Sequence, residues 1–355
     1  MTGYVSKQFI LASSPVGALR ETDFSLTETI IPEPKQGEFV VRSHCFAVEA
    51  GMRVSLNGVG KFPPSVTPGM LMQGRSVAQV VASNHPDFVE GALVSGQFGW
   101  SEYALSDGAG LNMAGQAMPV KPVPKGVSAE AFLSLFGSTA LAAYMGIMHV
   151  AKVQADDIVV VSGAAGAVGM VAVQIAKQQG ARVIGITGSD AKCRWLQEEL
   201  GVAAAINYRH KNMAAQLQQL APEGVNAFFD NVGGAVLQAV LNNVAFNARI
   251  ALCGAVSSYT STSSTASQAT VNEHPLGVIG AKDLFNLVTY GASMHGFSIR
   301  LMGDLLPQAL DYLRDKYVAG ELRSFDTRMA GFENLPKALV ALYEGANKGK
   351  MLVTV

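Results

Sequence analysis

Charge is scarce in this chain of 355 residues. Only 15% of it is Asp, Glu, Lys or Arg, and 26 basic against 27 acidic side chains leave a net charge of -1. There is no basic run, so the electrostatic footprint of a nucleic-acid binder is missing. Cysteine is scarcer still. Cys45, Cys193 and Cys253 are odd in number, far apart and without a Cys-x-x-Cys pair. That argues against a disulfide framework or a thiolate zinc site and favours a reducing compartment. The 6 histidines are scattered without ligand spacing. The stretch MTGYVSKQFILASSPVG contains an apolar patch too short for a signal-peptide core. The expectation is a soluble, cytoplasmic protein that engages neither nucleic acid nor membrane.

Apolar residues are abundant: 49% of the chain is hydrophobic, enough for one large or two ordinary cores. The first 125 residues read as β-rich, with short apolar stretches broken by Gly, Pro and Asn-His-Pro. In MPVKPVPKGVSAE three prolines precede Ser128 and Glu130, which stand at the head of a helix. Beyond it the rhythm becomes strand–helix alternation. Strands are predicted at 158–162, 182–187, 204–207, 227–230, 249–253 and 294–298, with helices such as AKCRWLQEEL and NMAAQLQQL between them. Such alternation predicts a parallel sheet covered on both faces. The final segment, from Glu321, reads as strand, helix, turn, strand, and could extend that sheet or return to the first region.

One run, IVVVSGAAGAVGMVAVQIA from Ile158 to Ala176, has no ionisable side chain and the length of a membrane span. Its internal order predicts something else. A β-branched strand ends at Ser162, glycines follow at 163, 166 and 169, and Met170, Val173 and Ala176 then recur at helical spacing. This strand–turn–helix is close to the dinucleotide fingerprint. Gly166 would admit a pyrophosphate, Gly169 would let helix and strand pack closely, and the main chain of Ala165, Gly166, Ala167 and Val168 would face the anion.

The adenosine end is read from the second strand. An NAD site places an acid there, about 20 residues on. Asp190 has that distance but lies past Gly188 and reads as a helix N-cap. Ser189 and Lys192 suit a 2′-phosphate instead, which points to NADP. A Ser/Thr-rich stretch, 257–275, reads as a surface loop, a lid beside a ligand, or both.

Several segments resemble one family over nearly the whole chain: QGRSVAQVVASNHPDFVEGALVSGQFGWSEYAL, SGAAGAVGMVAVQIAK, GSDAKCRWLQEELG, INYR, FFDNVGG, ARIALCGAVSSY and NKGKMLV. The sequence is similar to the zinc-independent medium-chain dehydrogenase/reductases, and within them to the prostaglandin, plant double-bond and curcumin reductases. The resemblance implies an α/β fold: a Rossmann-type doubly wound parallel sheet over 129–318, plus a β-rich GroES-like catalytic domain made from 1–128 and 319–355. It implies NADPH, with Lys192 and Tyr208 at the 2′-phosphate, Asn231, Cys253 and Asn347 among the cofactor contacts, and Phe297 orienting the carboxamide. It implies no metal. Cys45 is present, but PGMLMQG stands where zinc-dependent relatives carry Gly-His-Glu, and His44 beside it reads as a strand neighbour. It also implies a homodimer. The stretch AKDLFNLV, 281–288, reads alike as an apolar surface, helix core or pocket wall.

The implied chemistry is NADPH-dependent reduction of a C=C bond conjugated to a carbonyl, in an enone or enal. Tyr259 is the implied donor at the carbonyl oxygen or its orienting group. Gly51, Met52, Ser138 and Tyr259 are the implied pocket residues. Two positions depart from the family. Val48-Glu49-Ala50-Gly51-Met52-Arg53 has Gly51 where relatives carry Tyr, and Gly137-Ser138-Thr139-Ala140 replaces a Gly-Met-Pro-Gly-like run. Both remove bulk or apolar surface, so a reshaped pocket is expected. Two alternatives stay open: a quinone oxidoreductase, and an NADPH-binding protein without turnover.

Overall fold

The computed structural model describes residues 3–58, 63–110, 118–210, 212–259 and 284–355. Most of the 257–275 stretch, and 281–283 of the AKDLFNLV stretch, lie outside them. The chain divides into two compact units, Met1–Leu133 with Asp326–Val355, and Ser134–Phe325.

In chain order the first part contributes β1 (Gly3–Leu11), β2 (Phe24–Pro32), β3 (Phe39–Val48), α1 (Met52–Asn57), β4 (Ser76–Ser83), β5 (Leu93–Gly96), β6 (Tyr103–Ser106), β7 (Lys121–Pro122) and α2 (Ala129–Leu135). Then come α3 (Ser138–Met145), β8 (Ile158–Ser162), α4 (Ala167–Gln178), β9 (Arg182–Thr187), α5 (Asp190–Leu200), β10 (Ala204–Asn207), α6 (Met213–Leu220), β11 (Val225–Asp230), α7 (Gly234–Leu241), β12 (Val244–Leu252), α8 (Phe285–Thr289), β13 (Ser293–Gly296) and α9 (Leu306–Val318). The chain closes with β14 (Asp326–Ala330), α10 (Leu335–Tyr343) and β15 (Lys350–Thr354).

The second unit is built on a parallel six-stranded sheet in the order β10-β9-β8-β11-β12-β13. Its central strand explains its own sequence. Val159 and Val161 point into one apolar cluster and Val160 into another, all fully buried. A strand covered on both faces reads as an unbroken apolar run rather than an alternation. The nineteen-residue stretch is thus β8, a turn and α4. Among the described residues one run, Ala129–Val150, is long and apolar enough to cross a membrane, and 67% of its most apolar window is buried inside the protein.

Three strands differ from their predicted bounds. β11 begins at Val225, ahead of the predicted 227. β12 also begins early, at Val244, and passes through Asn247 at φ 58, whose N–H is held by Tyr290 O at 2.7 Å. β12 stops before Cys253, whose N–H donates to Asp230 O instead. β13 stops at Gly296, because Ser298 caps the next helical turn by accepting from Arg300 N–H. Within 284–288, Leu284, Phe285 and Val288 are exposed, whereas Leu287 of α8 packs against the cluster that holds Val160 and Ile250.

The first unit has a seven-stranded mixed sheet, β14-β15-β3-β4-β5-β7 with β6 also on β3, and the separate hairpin β1-β2. Its core gathers Phe9, Phe46, Trp100, Phe332, Leu339 and Met351. The final segment therefore returns to the first region: β15 lies antiparallel to β3 and parallel to β14.

Candidate cofactor and substrate site

The glycine turn sits at the carboxyl end of β8. Gly163 adopts φ 58, and the turn closes through Gly166 N–H to Gly163 O at 2.9 Å. At Gly169 a Cβ would lie 2.2 Å from Gly163 O and 2.6 Å from Ala164 Cα, so only glycine lets α4 approach the turn this closely. The first helical bond of α4 runs from Met170 N–H to Gly166 O, 2.9 Å. Ala164 N–H is bonded to Ile186 O at 3.1 Å and Gly166 N–H closes the turn. The N–H groups of Ala167, Val168 and Gly169 in the first turn of α4 have no helical acceptor, and that turn carries no acid. Open amides, a positive helix end and a glycine-lined surface form a donor set that fits a pyrophosphate.

A hydrogen-bonded network fixes this turn to the neighbouring strand. Ser162 Oγ donates to Asp230 Oδ1 at 2.6 Å and accepts from Asn231 N–H at 2.8 Å. Asn231 Nδ2 donates to Ser162 O at 2.7 Å. The fully buried Asp230 also accepts from the N–H groups of Val232 and Gly233 at 3.0 Å. Burial pushes the Asp230 carboxyl upward, while the Ser162 hydroxyl and the two amides pull it back. Nothing in the sequence reading singled out Ser162 or Asp230. The available signal was a carboxylate ending the apolar run FFD, since a buried charge implies partners.

Next along the same sheet edge, Cys253 N–H donates to Asp230 O at 2.8 Å. The Cys253 thiol is pushed up to about 12, by burial first and then by Asp230. Tyr259 follows a short helical turn. Its Oη accepts from Ala255 N–H at 3.5 Å and lies near Gly254, where a Cβ would be 3.3 Å from it. Burial raises its phenol, so it stays protonated and able to donate. Phe297 N–H donates to Leu252 O at 3.3 Å, and its ring packs on Gly146, where a Cβ would come 2.8 Å from Cζ. Ser138 opens α3, after Gly137.

Past the ends of β9 and β10, Ser189 and Lys192 stand at the start of α5 and Tyr208 packs over Gly188. Here the structure corrects the sequence reading: Ser189 is the N-cap of α5, its Oγ accepting from Lys192 N–H at 3.3 Å, and Asp190 is the first helical residue. Ser fits the cap because its short side chain reaches back to the open amide. Tyr208 is 41% exposed and lies over Gly188, where a Cβ would be 3.0 Å from its hydroxyl.

The other candidates belong to the first unit. Buried Asn347 donates from Nδ2 to Gly349 O at 2.7 Å. Gly51 precedes α1, exposed and with φ -59, and a Cβ there would meet nothing within 4 Å. Met52 beside it is buried. The Asn347 turn and the Gly51 segment are joined by the fully buried Lys350, whose Nζ lies 2.5 Å from Glu49 Oε1, and by the Tyr343 hydroxyl donating to Ala50 O. Among the described residues no group of three or more His, Cys, Asp or Glu could hold a metal.

The strand order and the glycine turn off the central strand define a class, the Rossmann-type dinucleotide-binding proteins. Family models described as "N-terminal domain of oxidoreductase" and "Zinc-binding dehydrogenase" match residues 7–114 and 167–288. The chain is 31% identical over 360 residues to the NADPH-dependent curcumin reductase of Escherichia coli, covering 99% of this chain and 97% of the relative. It is 31% identical to prostaglandin reductase 1 of Bos taurus, with 98% of each covered. The crystal structure of CurA from Vibrio vulnificus in complex with NADPH superposes with a TM-score of 0.85 at 32% identity, covering 98% of this chain and 99% of that one. The chain belongs to the medium-chain dehydrogenase/reductase family, in the zinc-independent group that includes the curcumin, prostaglandin and 2-alkenal reductases.

Proposed function

We propose that this chain, an NADPH-dependent oxidoreductase of that family, reduces the C=C bond of α,β-unsaturated carbonyl compounds such as enones and enals. The observation that carries the reading is Tyr259: a half-buried phenol, kept protonated by burial, on the sheet edge that bears the glycine turn. When bound, NADPH supplies the hydride for the β-carbon of such a substrate. The main chain of Ala165, Gly166, Ala167 and Val168 holds the pyrophosphate, and Ser189, Lys192 and Tyr208 take the 2′-phosphate. Asn231, Cys253, Phe297 and Asn347 serve the nicotinamide end. Gly51, Met52 and Ser138 wall the substrate.

Tyr259 Oη donates a hydrogen bond to the carbonyl oxygen, where negative charge accumulates as an enolate when hydride adds to the β-carbon. The α-carbon then takes a proton from water, which restores the C=O bond and leaves the saturated carbonyl. Ala255 N–H, aimed at that same Oη, makes the protonated phenol a stronger hydrogen-bond donor. A donor aimed at developing charge is worth about 2.7–4 kcal/mol, or roughly two orders of magnitude in rate. Tyr259→Phe is therefore expected to lower kcat about 100-fold with NADPH affinity unchanged. The test follows NADPH absorbance over a panel of enones, enals and quinones and identifies products by mass. Saturated carbonyl products support the reading. Hydroquinones alone, or NADPH binding with no consumption, would overturn it.

A further inference from the structure

The adenosine end of the site contains an acid beside its cation and hydroxyls. Asp190 lies one residue past Ser189 and three past the end of β9. An acid beyond this second strand ordinarily accepts a hydrogen bond from the ribose 2′-hydroxyl and disfavours the phosphorylated coenzyme. In this protein the carboxylate is engaged sideways. Asn207 Nδ2 donates to Asp190 Oδ1 at 2.8 Å, and His210 Nε2 stands 3.4 Å from the same oxygen. Asn207 closes β10, the strand beside β9, and is buried. Its amide orientation is set from the other side, where Oδ1 accepts from Arg209 N–H at 3.1 Å. His210 Nε2 completes the triangle, 3.3 Å from Asn207 Nδ2. Tyr208, between these two in sequence, places its hydroxyl beside Gly188 instead.

We propose that Asn207 and His210 are specificity-determining residues for the coenzyme: they clamp the Asp190 carboxylate toward β10 and keep it off the adenosine ribose, so that this edge admits a 2′-phosphate. The clamp explains how an acid at this place coexists with Ser189, Lys192 and Tyr208. The inference rests on the NADPH reading of the site and extends it to residues outside that set.

The test measures binding, without turnover: dissociation constants for NADPH and NADH from coenzyme fluorescence, in the parent, N207A/H210A, D190N and the triple variant. Releasing Asp190 is expected to lower the NADPH-over-NADH affinity ratio about ten-fold, the size of one charge-assisted hydrogen bond. Adding D190N is expected to restore the ratio, and D190N alone to keep or raise it. Because Asn207 is buried, H210A alone is the milder variant, its side chain being half exposed. It is expected to shift the ratio in the same direction by a smaller factor. An unchanged ratio in H210A and N207A/H210A would refute the clamp. A fall that D190N fails to restore would also refute it, because the effect would then not pass through the carboxylate. If the parent binds neither coenzyme, the NADPH reading falls and the clamp with it. If it binds NADPH with an unmoved ratio, the clamp alone falls.

Discussion

Replacing Gly169 by alanine would put a methyl group 2.2 Å from Gly163 O, 2.6 Å from Ala164 Cα and 2.8 Å from Gly163 C. Carbon contacts are comfortable at about 3.5–4.0 Å, so α4 and the turn must part by roughly 1 Å. All three neighbours are backbone, and no side chain can swing away. Alanine gains about 1 kcal/mol of helix propensity over glycine, against an overpacking cost near the upper end of about 1–3 kcal/mol. The expected net loss is about 2 kcal/mol, and about 2–4 °C per kcal/mol gives a fall in Tm of about 4–8 °C. Gly166→Ala is the control. Gly166 has φ -88 and ψ 178, open to any residue, and its Cβ would lie 3.2 Å from a single atom, Gly163 O. Stability should stay within about 0.5 kcal/mol of the parent. Its methyl would stand where a phosphate must approach the amides, so NADPH affinity should fall about ten-fold or more, one charge-assisted hydrogen bond. Thermal melts and NADPH fluorescence titrations measure both. Parent-like melting of Gly169→Ala, or parent-like binding by Gly166→Ala, would refute the division of labour between the two glycines.

Other expectations concern chemistry and pocket shape. Burial raises the thiols of Cys45 and Cys253 from 9.0 to about 12 and also raises Cys193. Iodoacetamide at pH 8 should therefore leave all three unmodified in the native protein and alkylate them after denaturation; rapid native labelling of Cys253 would contradict its placement. The folded state holds the protons of Cys45 and Cys253 more tightly than the unfolded chain. Their contribution to stability is thus complete below pH 9.0 and is lost as pH rises toward about 12, visible as a falling Tm. Gly51→Tyr meets no atom within 4 Å of the added Cβ and needs no unusual backbone. It should keep the parental Tm and lower kcat/KM for bulky enones more than for small ones, and an unchanged substrate profile would remove Gly51 from the pocket.

Sequence showed most where structure is local. β8, β9 and β10 were legible to the residue, because each is a short apolar run stopped by a glycine or a polar pair. The glycine turn was legible for the same reason. Contacts between distant parts of the chain were not. Ser162 and Asp230 are 68 positions apart, and Lys350 and Glu49 are 301 apart. Lysine and arginine read as surface residues, yet Lys350 and Arg53 are buried by partners that no spacing announces. Arg53 donates to Pro15 O and Gly17 O. The cap of α5 was misplaced by one residue because Ser189 and Asp190 are both good caps, and only the backbone angles choose between them.

The pairing of β15 with β3 and β14 also bears on how the protein is made. Residues 134–325 form an uninterrupted stretch whose sheet can assemble as it leaves the ribosome. The other half must wait: on the edge of β3 that β6 covers only over residues 39–42, the 45–48 part stays bare until residues 351–354 emerge. During synthesis, an apolar strand edge is exposed for the time it takes to translate some three hundred further codons. That interval, rather than the finished fold, is where a chaperone would have most to do.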